Sequence, residues 1–195
     1  MDLVGFHVYY QKWDLPNLKI MVPGALLGII IGTLTFGALN EGSIRILIGI
    51  IAVLFTLNNW FGFAKKQEPA GRSAIKGTIW SSVSGFTSFV AHAGGPPVMA
   101  YMLPQRLDKV TFVATANLFF LIINFVKLVP YAWLGQLSSN NLLTSLMLSP
   151  LAPAGVWLGL WLQKRINHEW FYRIAQSGLF LTGLQLIYQG SAGLH

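Results

Sequence analysis

GFTSFVAHAGGPPVMAYMLPQ, residues 85–105, is an apolar stretch that cannot form one continuous helix. Gly94 and Gly95 tolerate backbone dihedrals closed to other residues, while Pro96 and Pro97 cannot extend a preceding helix but can open a new one. A break within residues 93–97 follows. Its setting makes it informative, because residues 77–105 contain no Asp, Glu, Lys or Arg and are apolar enough to be embedded in a membrane. Non-helical backbone at membrane depth persists only where protein buries it or where it lines a watery cavity. The start of a half-helix there turns N–H groups and the positive end of a dipole toward an anion. A packed structural kink is the plainer reading of the same residues, since Gly and Pro are frequent in membrane helices.

Working outward, residues 20–40, 46–64, 110–126, 128–163 and 174–195 are also free of Asp, Glu, Lys and Arg. The chain is 54% hydrophobic and 10% charged, with mean hydropathy +0.57, against roughly 25% charged residues in a soluble domain. This composition indicates an all-α, polytopic integral membrane protein and argues against a soluble enzyme. No strand-like alternation competes, so helices are expected over 20–38, 43–61, 77–91, 110–131, 142–162 and 170–188. Trp60, Trp80, Tyr131, Trp133, Trp161, Trp170 and Tyr188 fall near their ends, where interfacial aromatics belong. Residues 1–19 are polar and aromatic and lack the apolar core of a cleavable signal peptide.

The acidic residues Asp2, Asp14, Glu41, Glu68, Asp108 and Glu169 all lie in or beside connections, so no span carries a carboxylate for a proton relay. The absence of cysteine excludes disulfides and thiolate metal sites, and no residue pattern implies a metal or other cofactor. The net charge of +7 comes from basic residues dispersed over short connections. That distribution is topogenic and makes nucleic acid an unsuitable partner. The partners implied are the lipid bilayer and a small anionic substrate; nothing in the sequence sets an oligomeric state.

Basic residues also constrain how residues 77–105 sit. If that segment crosses once, Lys12, Lys19, Lys65, Lys66, Arg72 and Lys76 lie on one side and Arg45, Arg106, Lys109, Lys164, Arg165 and Arg173 on the other. If it enters and returns, Arg45 alone is left opposite the rest. The positive-inside rule favours the second arrangement: a re-entrant hairpin, a cytoplasmic connection at residues 65–76 and an external C-terminus.

A faint internal repeat points the same way. Pro23-x4-Gly28-x3-Gly32 recurs as Pro150-x4-Gly155-x3-Gly159, and Arg45 in the next helix has a counterpart in Arg173. Glycines are common packing residues in membrane helices, but duplication is also common in transporter folds. The repeat divides a single transporter domain, residues 1–195, into the back part of a first repeat at 1–64, the connection at 65–76 and a second repeat at 77–190. Three crossings per repeat make the copies inverted. The second copy begins near Ala74, so the counterpart start falls before Met1 and the chain is expected to lack the front of its first repeat.

The run from Ser84 to Pro97, with Tyr101 and Leu103-Pro104-Gln105 after it, closely resembles the second-repeat signature of the sulfite exporter TauE/SafE family. Pro23-Gly-Ala-Leu-Leu-Gly28-x3-Gly32 is similar to that family's first half. The resemblance runs from about Lys19 to Tyr188. It implies a multi-pass transporter of the bacterial inner membrane, with two duplicated halves, that exports sulfite, sulfoacetate or related sulfur-containing anions. The glycine-rich broken segment that members carry in the first repeat is missing here, in agreement with the repeat arithmetic.

Candidate substrate-binding residues gather around the break. Ser84, Ser88 and His92 recur every fourth residue and share a helical face leading into it. His92 is expected to face the protein interior, as a substrate ligand or proton acceptor or else as a hydrogen-bonded structural histidine. Gly94, Gly95, Pro96 and Pro97 supply the half-helix start, and Gln105 a further hydrogen-bonding group. Asn117 and Asn124, seven residues apart with Lys127 beyond, either line the anion path or bond between helices while Lys127 snorkels. Trp157 and Trp161 read as packing or lipid-facing residues. The main alternative is a truncated, non-transporting membrane subunit. An intramembrane hydrolase using Ser88 and His92 ranks below it, because there is no orienting carboxylate and no Gly-x-Ser-x-Gly elbow.

Overall fold

Several helices begin where a connection supplies a side-chain oxygen for the first unbonded N–H groups. The computed structural model describes residues 2–36, 40–61, 70–134 and 151–192. Its helices are α1 Asp2–Val8, α2 Leu15–Leu34, α3 Glu41–Phe61, α4 Ala74–Ala91, α5 Gly95–Met102, α6 Lys109–Trp133, α7 Leu151–Arg165 and α8 His168–Ala192, with one 3-10 turn at Leu103–Gln105. Asp14 accepts from the Asn17 N–H at the start of α2, Asn40 from Gly42 before α3, and Ser73 from Lys76 before α4. Asp108 and Asn167 do the same for α6 and α8. The acidic residues that sequence confines to connections therefore include two helix caps, Asp14 and Asp108.

Among the described residues the fold is all-helical, as composition requires. Two helices, Leu15–Leu34 and Lys109–Trp133, are long and apolar enough to cross a membrane. The expected helices match in position, although α2 starts a turn early and ends at Leu34, and α8 runs on to Ala192. Residues 142–150 of the expected fifth helix, Pro150 of the repeat and residues 65–69 of the connection lie outside the described residues. The short α1 is an addition: its sequence is too polar and too brief to stand out as a membrane helix.

The chain divides into two compact units. One comprises residues 1–18 and 108–171. Within it α1 packs on α6, and Gly5 permits this: an added Cβ would strike the Asn117 side chain. The Asp14 N–H donates to Thr115 Oγ1 at 2.8 Å, and the Lys109 ammonium donates to the Ile166 carbonyl at 2.6 Å.

The other unit comprises residues 19–107 and 172–195. Here α2 lies against α4 at backbone distance. An added Cβ on Gly28 would collide with the Ser82 carbonyl, and one on Gly85 with the Ala25 carbonyl. Between them the Ser82 hydroxyl stands 2.9 Å from the Gly24 carbonyl of α2 and 2.8 Å from its own helix's Thr78 carbonyl. On another face, Ile48 of α3 and Leu186 of α8 form a buried cluster with Ala91 and Ala93, the residues on either side of His92. The end of α4 is thus held between helices.

Candidate anion site at the break between α4 and α5

The break falls at residues 92–94, but the dihedrals are distributed differently from expectation. His92, not a glycine, takes the left-handed conformation, at φ 52° and ψ 27°. Gly94 is in the ordinary helical region at φ −76° and ψ −17°. A histidine enters the left-handed region at a cost of roughly 1 kcal/mol, which the surrounding hydrogen bonds offset. The N–H groups of His92 and Ala93 both turn back to the Thr87 carbonyl, Ala93 at 3.1 Å. The Thr87 hydroxyl is 2.8 Å from the Val83 carbonyl and 3.0 Å from that of Ala93. Ser84 Oγ donates to the Gly94 carbonyl at 2.8 Å.

Gly94 is required for proximity. An added Cβ would stand 2.7 Å from Ser88 Cβ and 3.0 Å from the Ser84 carbonyl oxygen. Gly95 is the reverse: a Cβ there meets nothing within 4 Å, so its α-carbon opens onto space at the first turn of α5.

Burial corrects a second expectation. Ser84 and Ser88 are buried on the face they share, but His92 is exposed. The four-residue rule orders side chains only while the helix lasts, and α4 ends at Ala91. Past that point the left-handed turn swings the imidazole off the serine face while Ala91 and Ala93 stay in the core.

The donors at this half-helix can be counted. A helix start normally presents four unbonded N–H groups, and here two of those positions are Pro96 and Pro97, which have none. The backbone contribution therefore comes from Gly94 and Gly95, with the dipole of an eight-residue helix behind them. No acidic residue occurs in residues 70–105 to oppose an anion. The exposed imidazole, two N–H groups and the open face of Gly95 suit a small oxyanion.

From the break the chain returns to its starting level. Tyr101 of α5 places its hydroxyl 3.5 Å from the Ser73 carbonyl, and its ring lies beside Gly77 at the start of α4. The Ala70 N–H donates to the Pro104 carbonyl at 2.9 Å, joining the two ends. This is the hairpin expected for residues 77–105.

The remaining candidates are not part of the break itself. Gln105 is buried and donates from Nε2 to the Tyr101 carbonyl at 3.2 Å. It sits in the 3-10 turn that follows α5, roughly 16 Å along the axis from Gly95 by helical rise. Asn117 and Asn124 belong to α6 in the other unit, where Asn117 is half-buried against Gly5 and Asn124 is exposed. Lys127, three residues on, is buried. Thr87 escaped the sequence reading, because the serine face directs attention to every fourth residue. The signal that finds it is distance from the break: a helix ending at residue 91 must have its last N–H groups accepted four to six residues earlier.

A family model described as sulfite exporter TauE/SafE matches residues 1–186 of the 195. No curated protein and no solved structure matches the chain.

Proposed function

The chain belongs to the sulfite exporter TauE/SafE family, and on that premise we propose that it exports small sulfur-containing oxyanions or organosulfonates, such as sulfite or sulfoacetate. It does so as a multi-pass protein of the bacterial inner membrane. The observation that carries this reading is the break between α4 and α5, where the half-helix start at Gly94 and Gly95, the open α-carbon face of Gly95 and the exposed His92 imidazole stand side by side in the chain. Ser84 holds the break by its bond to Gly94 and Ser88 packs against Gly94, while Pro96 and Pro97 form the first turn of α5. Gln105 contributes from the far end of the same hairpin, and Asn117 and Asn124, on one face of α6, remain candidate ligands of the other unit.

The proposed topology has inverted repeats, the hairpin re-entrant from the cytoplasm, and residues 65–76 as the cytoplasmic connection. The domain limits are those given by the repeat, 1–64 and 77–190. The decisive experiment is flux into liposomes holding the purified chain, with sulfite, sulfoacetate, thiosulfate and sulfate offered separately and an organic cation as control. Saturable flux of at least one sulfur anion, and none of the cation, is expected. Cation flux, or no anion flux from folded protein, would overturn the reading.

One observation favours a second reading, a membrane subunit that works only within an assembly. Gly32 of α2 seats Phe89 of α4, whereas Gly159, its repeat counterpart on α7, has nothing within 4 Å of an added Cβ. On this reading the chain alone is silent in liposomes and gains flux when the missing partner is supplied.

A further inference from the structure

Among the described residues two helices are both long and apolar enough to cross a membrane, α2 and α6, and they begin at Leu15 and Lys109. Their first turns line one groove of about 600 Å³, together with the turn that leads into α2: Gln11, Lys12, Trp13, Asp14, Asp108 and Thr111 contribute. It is a broad groove open to the surface and not an enclosed cavity. Where two spans start, the hydrocarbon core ends, so this groove sits at the level of lipid headgroups.

Its lining carries charges of both signs. Lys12 is exposed and supplies an ammonium. Asp14 and Asp108 supply carboxylates, each anchored as a cap, to the Asn17 N–H at 3.0 Å and the Val110 N–H at 2.9 Å. The helix starts they cap bring partial positive charge of their own, roughly half a unit each, so the groove is close to neutral while keeping a cationic and an anionic part. Lys109 is engaged elsewhere, on the Ile166 carbonyl. Trp13 contributes an aromatic ring to the lining, and two further rings pack around it. Trp13 stacks on Phe6 with centroids 5.5 Å apart, and Tyr10 stands edge-on to both. Aromatic groups of this kind favour the zone between headgroup and acyl chain.

We propose that this groove binds the headgroup of a zwitterionic phospholipid bearing a primary amine, of the phosphatidylethanolamine type. Lys12 takes the phosphate, Asp108 and Asp14 take the ammonium, and the Trp13 ring, backed by Phe6 and Tyr10, meets the glycerol and upper chains. An anionic headgroup would leave the carboxylates facing its charge, and a choline headgroup has no N–H to give them. The proposal rests on α2 and α6 lying in a membrane and is independent of the anion site at the break.

The test is lipid retention by the purified full chain, measured by native mass spectrometry after exchange with phosphatidylethanolamine, phosphatidylglycerol or phosphatidylcholine. Anion flux is followed on the same preparations, so that failure of this site and failure of the transport reading are read separately. Wild type is expected to retain phosphatidylethanolamine about tenfold better than either alternative, the discrimination expected of one charge-assisted bond. Lys12→Gln should remove the preference. Asp108→Asn, which keeps a capping oxygen for α6, should shift retention toward phosphatidylglycerol. Equal retention of all three lipids by wild type, or unchanged selectivity in both variants, would overturn the proposal. So would equally tight binding of free phosphoethanolamine, because the site would then recognise a solute and not a lipid.

Discussion

At the scale of the residue, His92 combines two properties that experiment can separate. Its backbone is in a region that costs a non-glycine residue roughly 1 kcal/mol, and its exposed side chain packs into no core. His92→Gly removes the imidazole and the conformational cost together. Thermal unfolding in detergent should show a variant at least as stable as wild type, by up to about 1 kcal/mol, whereas liposome flux of sulfur anions should fall. Undiminished flux would show that the imidazole is not a ligand. The adjoining glycines divide the same way. Gly94→Ala must push against Ser88 Cβ and the Ser84 carbonyl, so it should destabilise by about 1–3 kcal/mol, the usual range for overpacking. Gly95→Ala meets no atom, so its fold should be intact while its methyl group crowds the approach to the two N–H donors. The diproline marks the start of α5 in the sequence without ambiguity. The left-handed residue is not marked, because the local code for that conformation is glycine and two glycines stand two residues too late.

At the scale of the element, the glycines of α2 and α4 measure how closely helices approach when small residues line the contact. Their spacing tells which face of α2 is used. It does not tell which helix is received, since a glycine row states a distance and not a partner; Ser82 and Phe89 of α4 identify it once the contacts are seen. Gly28→Ala should therefore lower thermal stability by at least about 1–3 kcal/mol, because the obstacle is the backbone carbonyl of Ser82. Gly178→Ala on α8, where nothing lies within 4 Å, should be neutral or should gain up to about 1 kcal/mol of helix propensity. Melting curves of the two variants, taken side by side, check the packing directly, and similar values would mean that α2 and α4 are not in close contact. Charge-free length located α3, α4, α6 and α8 well. It missed α1, whose seven residues depend on packing against α6 rather than on any pattern of their own.

At the scale of the whole molecule, the hairpin determines sidedness. The bond from the Ala70 N–H to the Pro104 carbonyl sets the entry and exit of residues 70–104 next to each other, so Arg72 and Lys76 belong with Arg106. That juxtaposition is what the basic residues ask for, since a single crossing divides them evenly and a return leaves only Arg45 on the far side. Basic connections resist translocation, so the topology proposed above makes the crowded side cytoplasmic. The natural chain has no cysteine, which leaves a silent background for labelling. Gly71→Cys, where an added Cβ meets nothing, and Leu107→Cys report the two ends of the hairpin. Neither should react with a membrane-impermeant maleimide in intact cells, and both should react once the membrane is permeabilised. Labelling of one position alone in intact cells would mean that the segment crosses after all and that the evenly divided charges are the true arrangement. Labelling of both would keep the hairpin but place it on the outer side, with the anion site open to the exterior and the direction of transport reconsidered.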